Sequence, residues 1–386
     1  MKKKILTFLS YILVAALASA TTLALTREEE EPLYIAKLDQ LESLIQEKFI
    51  GEADPVAMAD GAAAGMIEAL GDRWSYYIPA DEYAAYEERM ANAYVGVGIT
   101  IQVADNDAGF LILNVTSGGP AEEAGLLAGD YLIGAEGQNV VGWTTDDVAA
   151  IVKGEEGTYV QLTVLREGAE ITFSVERRRV LVPVVESQML AGHIGYVKIA
   201  NFDKRCTEET VAAIESLMAQ GADMLLFDVR FNPGGYADEL VNTLDYLLPE
   251  GELFRTVNYA GQEDVDMSDA DCVELPMAVL VNGDSYSAAE FFAAALREYE
   301  AAFIVGQPTV GKSYFQRTWE LKDGSAAAIS EGKYYTPNGV SLAEVGGLVP
   351  DLTVDVTDEE AFGIYAGTLD PMEDPQVLAA IAELEK

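Results

Sequence analysis

From Ile194 onward short apolar strands alternate with helical stretches, and that alternation restricts this part of the chain to an α/β fold. Residues 194–199 read as a strand, and residues 207–220 as a helix with Val211, Ile214 and Leu217 turned inward. Residues 224–230 (Met-Leu-Leu-Phe-Asp-Val-Arg) read as a buried strand. It ends in Asn232-Pro233-Gly234-Gly235, and a helix through Leu240, Leu244 and Leu247 comes next. A second apolar run, residues 277–281, empties into a turn of small residues around Ser285-Tyr286-Ser287, after which helical spacing resumes. A strand, tight turn and helix in that order expose the Ser287 hydroxyl. They also leave the N–H of Ala288 without an intrahelical partner, which is half of an oxyanion hole.

A serine nucleophile needs a base, and the chain has one histidine, His193, in 386 residues. Lys312 is the alternative, with Gln316 four residues on as the residue to orient it. A free lysine has a pKa of about 10.4, so bringing it to about 7.5 takes roughly 4 kcal/mol of burial against the ammonium. Val310, Tyr314 and Phe315 are the expected walls. The turn at Gly234-Gly235 can offer backbone N–H groups to a developing oxyanion. Residues 306–313 also satisfy the nucleotide-binding pattern of a P-loop, which requires a helix directly after the lysine. The chain instead continues Tyr314-Phe315-Gln316-Arg317-Thr318-Trp319-Glu320-Leu321 into a turn at Asp323-Gly324-Ser325, which spells a hairpin.

Sixty-five acidic against twenty-four basic residues give a net charge of −41, which makes nucleic acid and anionic surfaces poor partners. The carboxylates show no calcium-loop spacing, and Cys206 and Cys272 match no metal-ligand pattern, so no metal and no cofactor is expected. The two cysteines are expected as free thiols. Lys2-Lys3-Lys4 precede an uncharged apolar run over residues 5–25. Basic first and apolar second is an export signal, and residues 1–27 are read as a signal peptide or membrane anchor. The rest of the chain is then extracytoplasmic. Residues 28–91 carry apolar residues at helical spacing (Leu38, Leu41, Leu44, Ile45, Phe49, then Met58, Ala62, Met66, Ile67, Leu70). This helical region is expected to serve a homodimer, and the aromatic stretch from Trp74 to Tyr86 is expected simply to pack.

Near Tyr94 the character changes to short strands separated by turn residues, with Thr144-Thr145-Asp146-Asp147 capping a helix that presents Val148, Ile151 and Val152. A glycine loop (Val95-Gly96-Val97-Gly98-Ile99), a strand and a helix side by side make a groove for an extended peptide end. Together with Gly119-Pro120-Ala121-Glu122-Glu123-Ala124-Gly125-Leu126 and Gly129-Asp130-Tyr131-Leu132-Ile133, residues 92–180 resemble a PDZ domain. The resemblance implies recognition of protein or peptide substrates with apolar C-termini.

The strings Asp228-Val229-Arg230-Phe231-Asn232-Pro233-Gly234-Gly235, Ser285-Tyr286-Ser287-Ala288-Ala289-Glu290 and residues 306–316 resemble the tail-specific, or carboxyl-terminal processing, serine peptidases. Asp323-Gly324-Ser325, Tyr335-Thr336-Pro337-Asn338-Gly339 and Gly347-Leu348-Val349-Pro350-Asp351 extend the likeness. Tyr286, Ala289 and Ser313 depart from the residues common at their places in those motifs. The resemblance implies an α+β multidomain chain: a crotonase-like (ClpP-like) α/β peptidase core over residues 181–360, the PDZ domain, and the N-terminal helical region. A helical tail, residues 361–386, completes it. The implied roles are Ser287 as nucleophile, Lys312 as base and Gln316 as its orienter. Gly234, Gly235 and the N–H of Ala288 would form the oxyanion hole. The expected activity is that of an extracytoplasmic serine endopeptidase with PDZ recognition of substrate C-termini. The competing reading is a catalytically silent PDZ scaffold.

Overall fold

The computed structural model describes residues 32–104 and 108–386. The export segment read at residues 1–27 lies outside them, and no helix among the described residues is long and apolar enough to cross a membrane. The chain divides into two compact units, one ending at Met66 and one running from Ile67 to Lys386.

The described residues of the first unit are mainly helical. Its helix Leu33–Lys48 buries none of its residues, and Leu38, Leu41 and Leu44 are all exposed. A second helix, Pro55–Glu68, crosses into the other unit and likewise has no buried residue. The apolar spacing therefore predicts the helices correctly, while the apolar residues lie on the surface rather than in a core.

Among its described residues, the larger unit contains three sheets and one two-stranded ribbon. The PDZ sheet runs in the order Ile99–Val103, Phe110–Val115, Tyr131–Ala135, Tyr159–Arg166, Ala169–Glu176, all antiparallel. Alternating residues such as Val160, Leu162 and Val164 fill its core with Phe110, Ile112 and Leu132. Thr144 and Asp147 form the reciprocal cap that starts the helix Thr145–Val152. The chain enters and leaves this sheet through the ribbon Ala93–Gly96 paired with Arg178–Leu181. Arg205 holds the ribbon's base by donating to the carbonyls of Asn92 and Val182.

The C-terminal half of this unit is built on a six-stranded sheet in the order Val185–Leu190, Ile194–Ile199, Met224–Asp228, Met277–Val281, Ala302–Gly306, Leu352–Thr353. All neighbours after the first pair are parallel, as the alternation of strands and helices requires. The helix Ala288–Glu298 buries every residue from Ala288 to Leu296, and its alanines let the helix press close to the sheet. Across it lies a five-stranded antiparallel sheet whose long strand, Ala326–Tyr335, pairs with Tyr314–Glu320, Gly251–Asn258 and Tyr76–Ile78. Residues 67–91, which by sequence belong with the helical region, thus deliver a strand to the core sheet. The chain after Lys312 is a strand, which removes the helix that a phosphate-binding loop needs.

Candidate active site

Ser287 stands where the fully buried strand Met277–Val281 has turned and the helix Ala288–Glu298 begins. Its backbone has φ 59° and ψ −126°, a left-handed-side conformation that costs a non-glycine residue about 1–3 kcal/mol. Surrounding bonds hold it there. Tyr286 N–H donates to the Asn232 carbonyl at 3.1 Å, the Ser285 hydroxyl donates to the Val229 carbonyl at 2.7 Å, and Asn282 Oδ1 accepts from Phe231 N–H at 2.9 Å. The serine turn is therefore laced to the glycine turn that comes after Arg230.

That lacing explains Gly234. A Cβ at this position would lie 2.7 Å from the Ser287 Cβ and 2.9 Å from the Ala288 nitrogen, at a φ of +90°. Its own N–H donates to Asn232 Oδ1 at 2.8 Å, however, so the expectation that Gly234 supplies an oxyanion donor is corrected. Gly234 contributes by lacking a side chain. Gly235 packs as tightly, with its would-be Cβ 2.3 Å from the Phe202 carbonyl. The N–H groups of Gly235 and Ala288 make no hydrogen bond among the described residues.

Lys312 is largely buried, and its amine is lowered from 10.5 to about 8. Desolvation causes the drop, and the carboxylates of Asp72 and Glu290 oppose it. Two aromatic rings that face the amine come from elsewhere in the chain. Nζ lies 4.7 Å from the ring centre of Trp74 and 6.0 Å from that of Tyr286, and these two rings stack on each other. No hydrogen bond joins Nζ to Ser287. The Ser287 Oγ instead accepts from the Tyr334 hydroxyl at 2.9 Å.

Gln316 makes no hydrogen bond to Lys312. Its Nε2 donates to the Tyr314 carbonyl and to Ser330 Oγ, at 3.0 and 2.8 Å. The reason is register: Gln316 lies directly opposite Ser330, after a shift between Phe315 and Gln316. It faces a groove of about 810 Å³ that also exposes Ser287 and Ala288. Leu240, Phe254, Phe315 and Tyr334 give this groove an apolar floor.

Glu290 is fully buried, and its carboxylate accepts from Ser287 N–H, Thr309 Oγ1, Gly311 N–H and Lys312 N–H. Burial raises its carboxyl, and these four donors counter the rise. Motif reading gives this residue no role, although the Ser-x-x-Glu spacing is a capping-box signature legible in the sequence. Tyr334, Trp74 and Asp72 carry no such local sign.

In the PDZ sheet, Val95 and Gly96 pair with Arg179 and Arg178 in the entry ribbon, so they do not line a free loop. Val97, Val148 and Val152 are core residues, consistent with 148 and 152 sharing one helical face, so they do not line an open surface. Gly98 takes φ +80°, and its carbonyl accepts from Thr116 N–H. Ile99 opens the edge strand Ile99–Val103, which is paired on one side only, and Ile151 is half-buried.

The carboxy-terminal processing protease CtpA of Bacillus subtilis (strain 168) is 30% identical over 370 residues, spanning 93% of this chain and 79% of that protein. This chain belongs to peptidase family S41. The model of that family matches residues 193–354, that of the PDZ domain residues 97–176, and that of the activating protease CtpB N-terminal domain residues 14–82. Among solved structures, the photosystem II D1 C-terminal processing protease is 28% identical with a TM-score of 0.48, over 82% of this chain and 86% of that one. The tricorn protease shares the fold, with a TM-score of 0.52 at 16% identity, over 76% of this chain and 29% of that one. The molecule is a serine-type peptidase with an S41 core and a PDZ domain, and its substrates are proteins or peptides.

Proposed function

We propose that Ser287 and Lys312 form a Ser–Lys dyad that hydrolyses protein substrates in the groove above Leu240 and Phe254, outside the cytoplasm. The observation that carries this reading is the burial of Lys312, which brings its amine to about 8. About 10% of it is then the free base at pH 7, against less than 0.1% of an unperturbed lysine. In acylation the neutral amine takes the proton from Oγ as Oγ adds to the carbonyl carbon. The oxyanion meets the unpaired N–H groups of Gly235 and Ala288, and the ammonium returns its proton to the departing amine. The amine must leave the face of Trp74 to reach Oγ.

The edge strand Ile99–Val103 supports recognition of an extended, apolar substrate C-terminus by strand addition, with Ile99 and Ile151 as flanking side chains. The basic-then-apolar N-terminus supports export and membrane association through residues 1–27. The exposed Leu38, Leu41 and Leu44 support pairing with a second copy.

Cleavage of an unfolded protein ending in apolar residues is the test, with Ser287→Ala and Lys312→Ala beside the parent. Both variants are expected to lose cleavage, and a Lys312→Ala protein that still cleaves refutes the dyad. Amidating the substrate's C-terminus separates the PDZ claim: equal rates with free and amidated tails refute it.

A further inference from the structure

The Tyr334 hydroxyl donates to Ser287 Oγ at 2.9 Å, and none of the motifs read from the sequence includes this tyrosine. The ring cannot drift. It is buried, its centre is 4.4 Å from that of Phe291 and 5.3 Å from that of Phe254, and its own N–H donates to the Ser313 carbonyl. Register opposite Thr256 in the strand Gly251–Asn258 sets its depth. The phenol also lines the groove where substrate must lie.

We propose that Tyr334 is a catalytic residue that stabilises Ser287 Oγ as a leaving group, so that its main work is done in deacylation. This deepens the dyad reading and rests on it. A serine hydroxyl has one hydrogen and two lone pairs. Tyr334 occupies one pair, which leaves the hydrogen for the amine of Lys312 and the other pair for the substrate carbonyl.

Differential binding decides which step gains. Before acylation Oγ is a hydroxyl, a good acceptor, so the Tyr334 bond already exists and its gain on reaching the transition state is small. In the acyl-enzyme Oγ is an ester oxygen, a poor acceptor. Water adds to the acyl carbon while Lys312 takes its proton. The C–Oγ bond then breaks, its electron pair goes to Oγ, and Lys312 returns the proton to that oxygen. Negative charge rises on Oγ as the bond breaks, and the Tyr334 bond strengthens there. Tyr334 keeps its own proton throughout, consistent with burial raising its phenol above the ordinary range.

The test uses the whole chain and a p-nitrophenyl ester of a short apolar acid, whose good leaving group makes deacylation limiting. Tyr334→Phe keeps the ring contacts with Phe254 and Phe291. It is expected to release the first equivalent of nitrophenol within about 3-fold of the parental rate, while steady turnover falls about 10-fold. Intact mass should then show the acyl group accumulated on the variant. Turnover equal to the parent's, faster than it, or reduced in step with the burst would overturn the proposal, the last because it marks a purely structural role. Ser287→Ala keeps the two failures apart. A burst that survives it, or a parent that forms no acyl adduct, refutes the serine reading itself and the Tyr334 role with it.

Discussion

The backbone N–H groups of Ser287 and Lys312 converge on one atom: each donates to Oε2 of Glu290 at 2.9 Å. Nucleophile and base are thus fixed to each other through a buried carboxylate, although no hydrogen bond joins their side chains. The other oxygen accepts from Thr309 Oγ1 and Gly311 N–H, so all four approaching groups are donors. Glu290→Gln keeps the shape but turns an NH2 toward two of them, leaving buried donors unpaired at about 1–3 kcal/mol each. The variant should lose about 2–5 kcal/mol of stability and at least about 100-fold in turnover. Thermal unfolding and peptide cleavage measure both, and parental values for the two together would mean the clamp does not matter.

Activity should rise with pH through about 8, because only the neutral amine of Lys312 can act as base and burial sets its pKa there. Asp72 pulls the other way by favouring the ammonium. Asp72→Asn should therefore move the acid limb of kcat/KM to lower pH, by about half a unit to one unit. A limb that stays in place or moves up would show that Asp72 does not act on the amine.

Ser287, its turn and Lys312 were legible because their signals are local: an apolar strand, small residues, a helix, and a lysine succeeded by alternating residues. Glu290 was legible too, by its spacing from Ser287. Trp74, Asp72 and Tyr334 were not. Each reaches the site through pairing on the long strand Ala326–Tyr335 or on its partners, and no local pattern encodes which residues of distant strands face each other. Gln316 shows the same limit from the other side. Its spacing from Lys312 is easily read, but the register shift at Phe315 decides that it meets Ser330. In the PDZ domain, Val97, Val148 and Val152 were singled out for a groove but are apolar for the core's sake, as their burial shows.

Asp203 sits where the PDZ ribbon meets the catalytic half. Its carboxylate accepts from Asn92 Nδ2 at 3.4 Å, and the adjoining Phe202 bridges to Gly235. Burial raises its carboxyl from 3.8 to about 7, helped by nearby Glu239 and opposed by the Asn92 bond. Between those values the folded protein keeps a proton that the unfolded chain has lost. The stability from this site is thus full below pH 4 and lost as pH rises through 7. Asp203→Asn, which mimics the protonated form, should raise stability at pH 8 by about 1–3 kcal/mol and change little near pH 4. Urea unfolding at the two pH values tests it, and equal effects at both would refute the assignment.

Arg230 precedes the glycine turn and anchors the C-terminal segment from inside. Its guanidinium binds Asp228 through Nε and Nη2, and through Nη1 it meets Asp374 at 2.7 Å and Gln376 Oε1 at 2.9 Å, with all four side chains buried. Asp374 in turn caps the helix Pro375–Leu384 by accepting from Gln376 N–H and Val377 N–H. Replacing one member of such a network is worse than replacing all, because the rest stay buried and uncompensated. Arg230→Met should cost about 3–5 kcal/mol at pH 7.5. Burial pushes the Asp228 carboxyl up, and Arg230 is the main influence reversing this; in the variant the upward push is opposed only by the Tyr196 hydroxyl and the N–H of residue 230. Asp228 can then shed its uncompensated charge by taking a proton, and the penalty should shrink as pH falls toward 5. Because Phe231 and Asn232 come directly after it in the chain, turnover at pH 7.5 should drop further than the loss of folded protein accounts for. A penalty that is constant with pH would mean that the network holds the tail by packing rather than by charge.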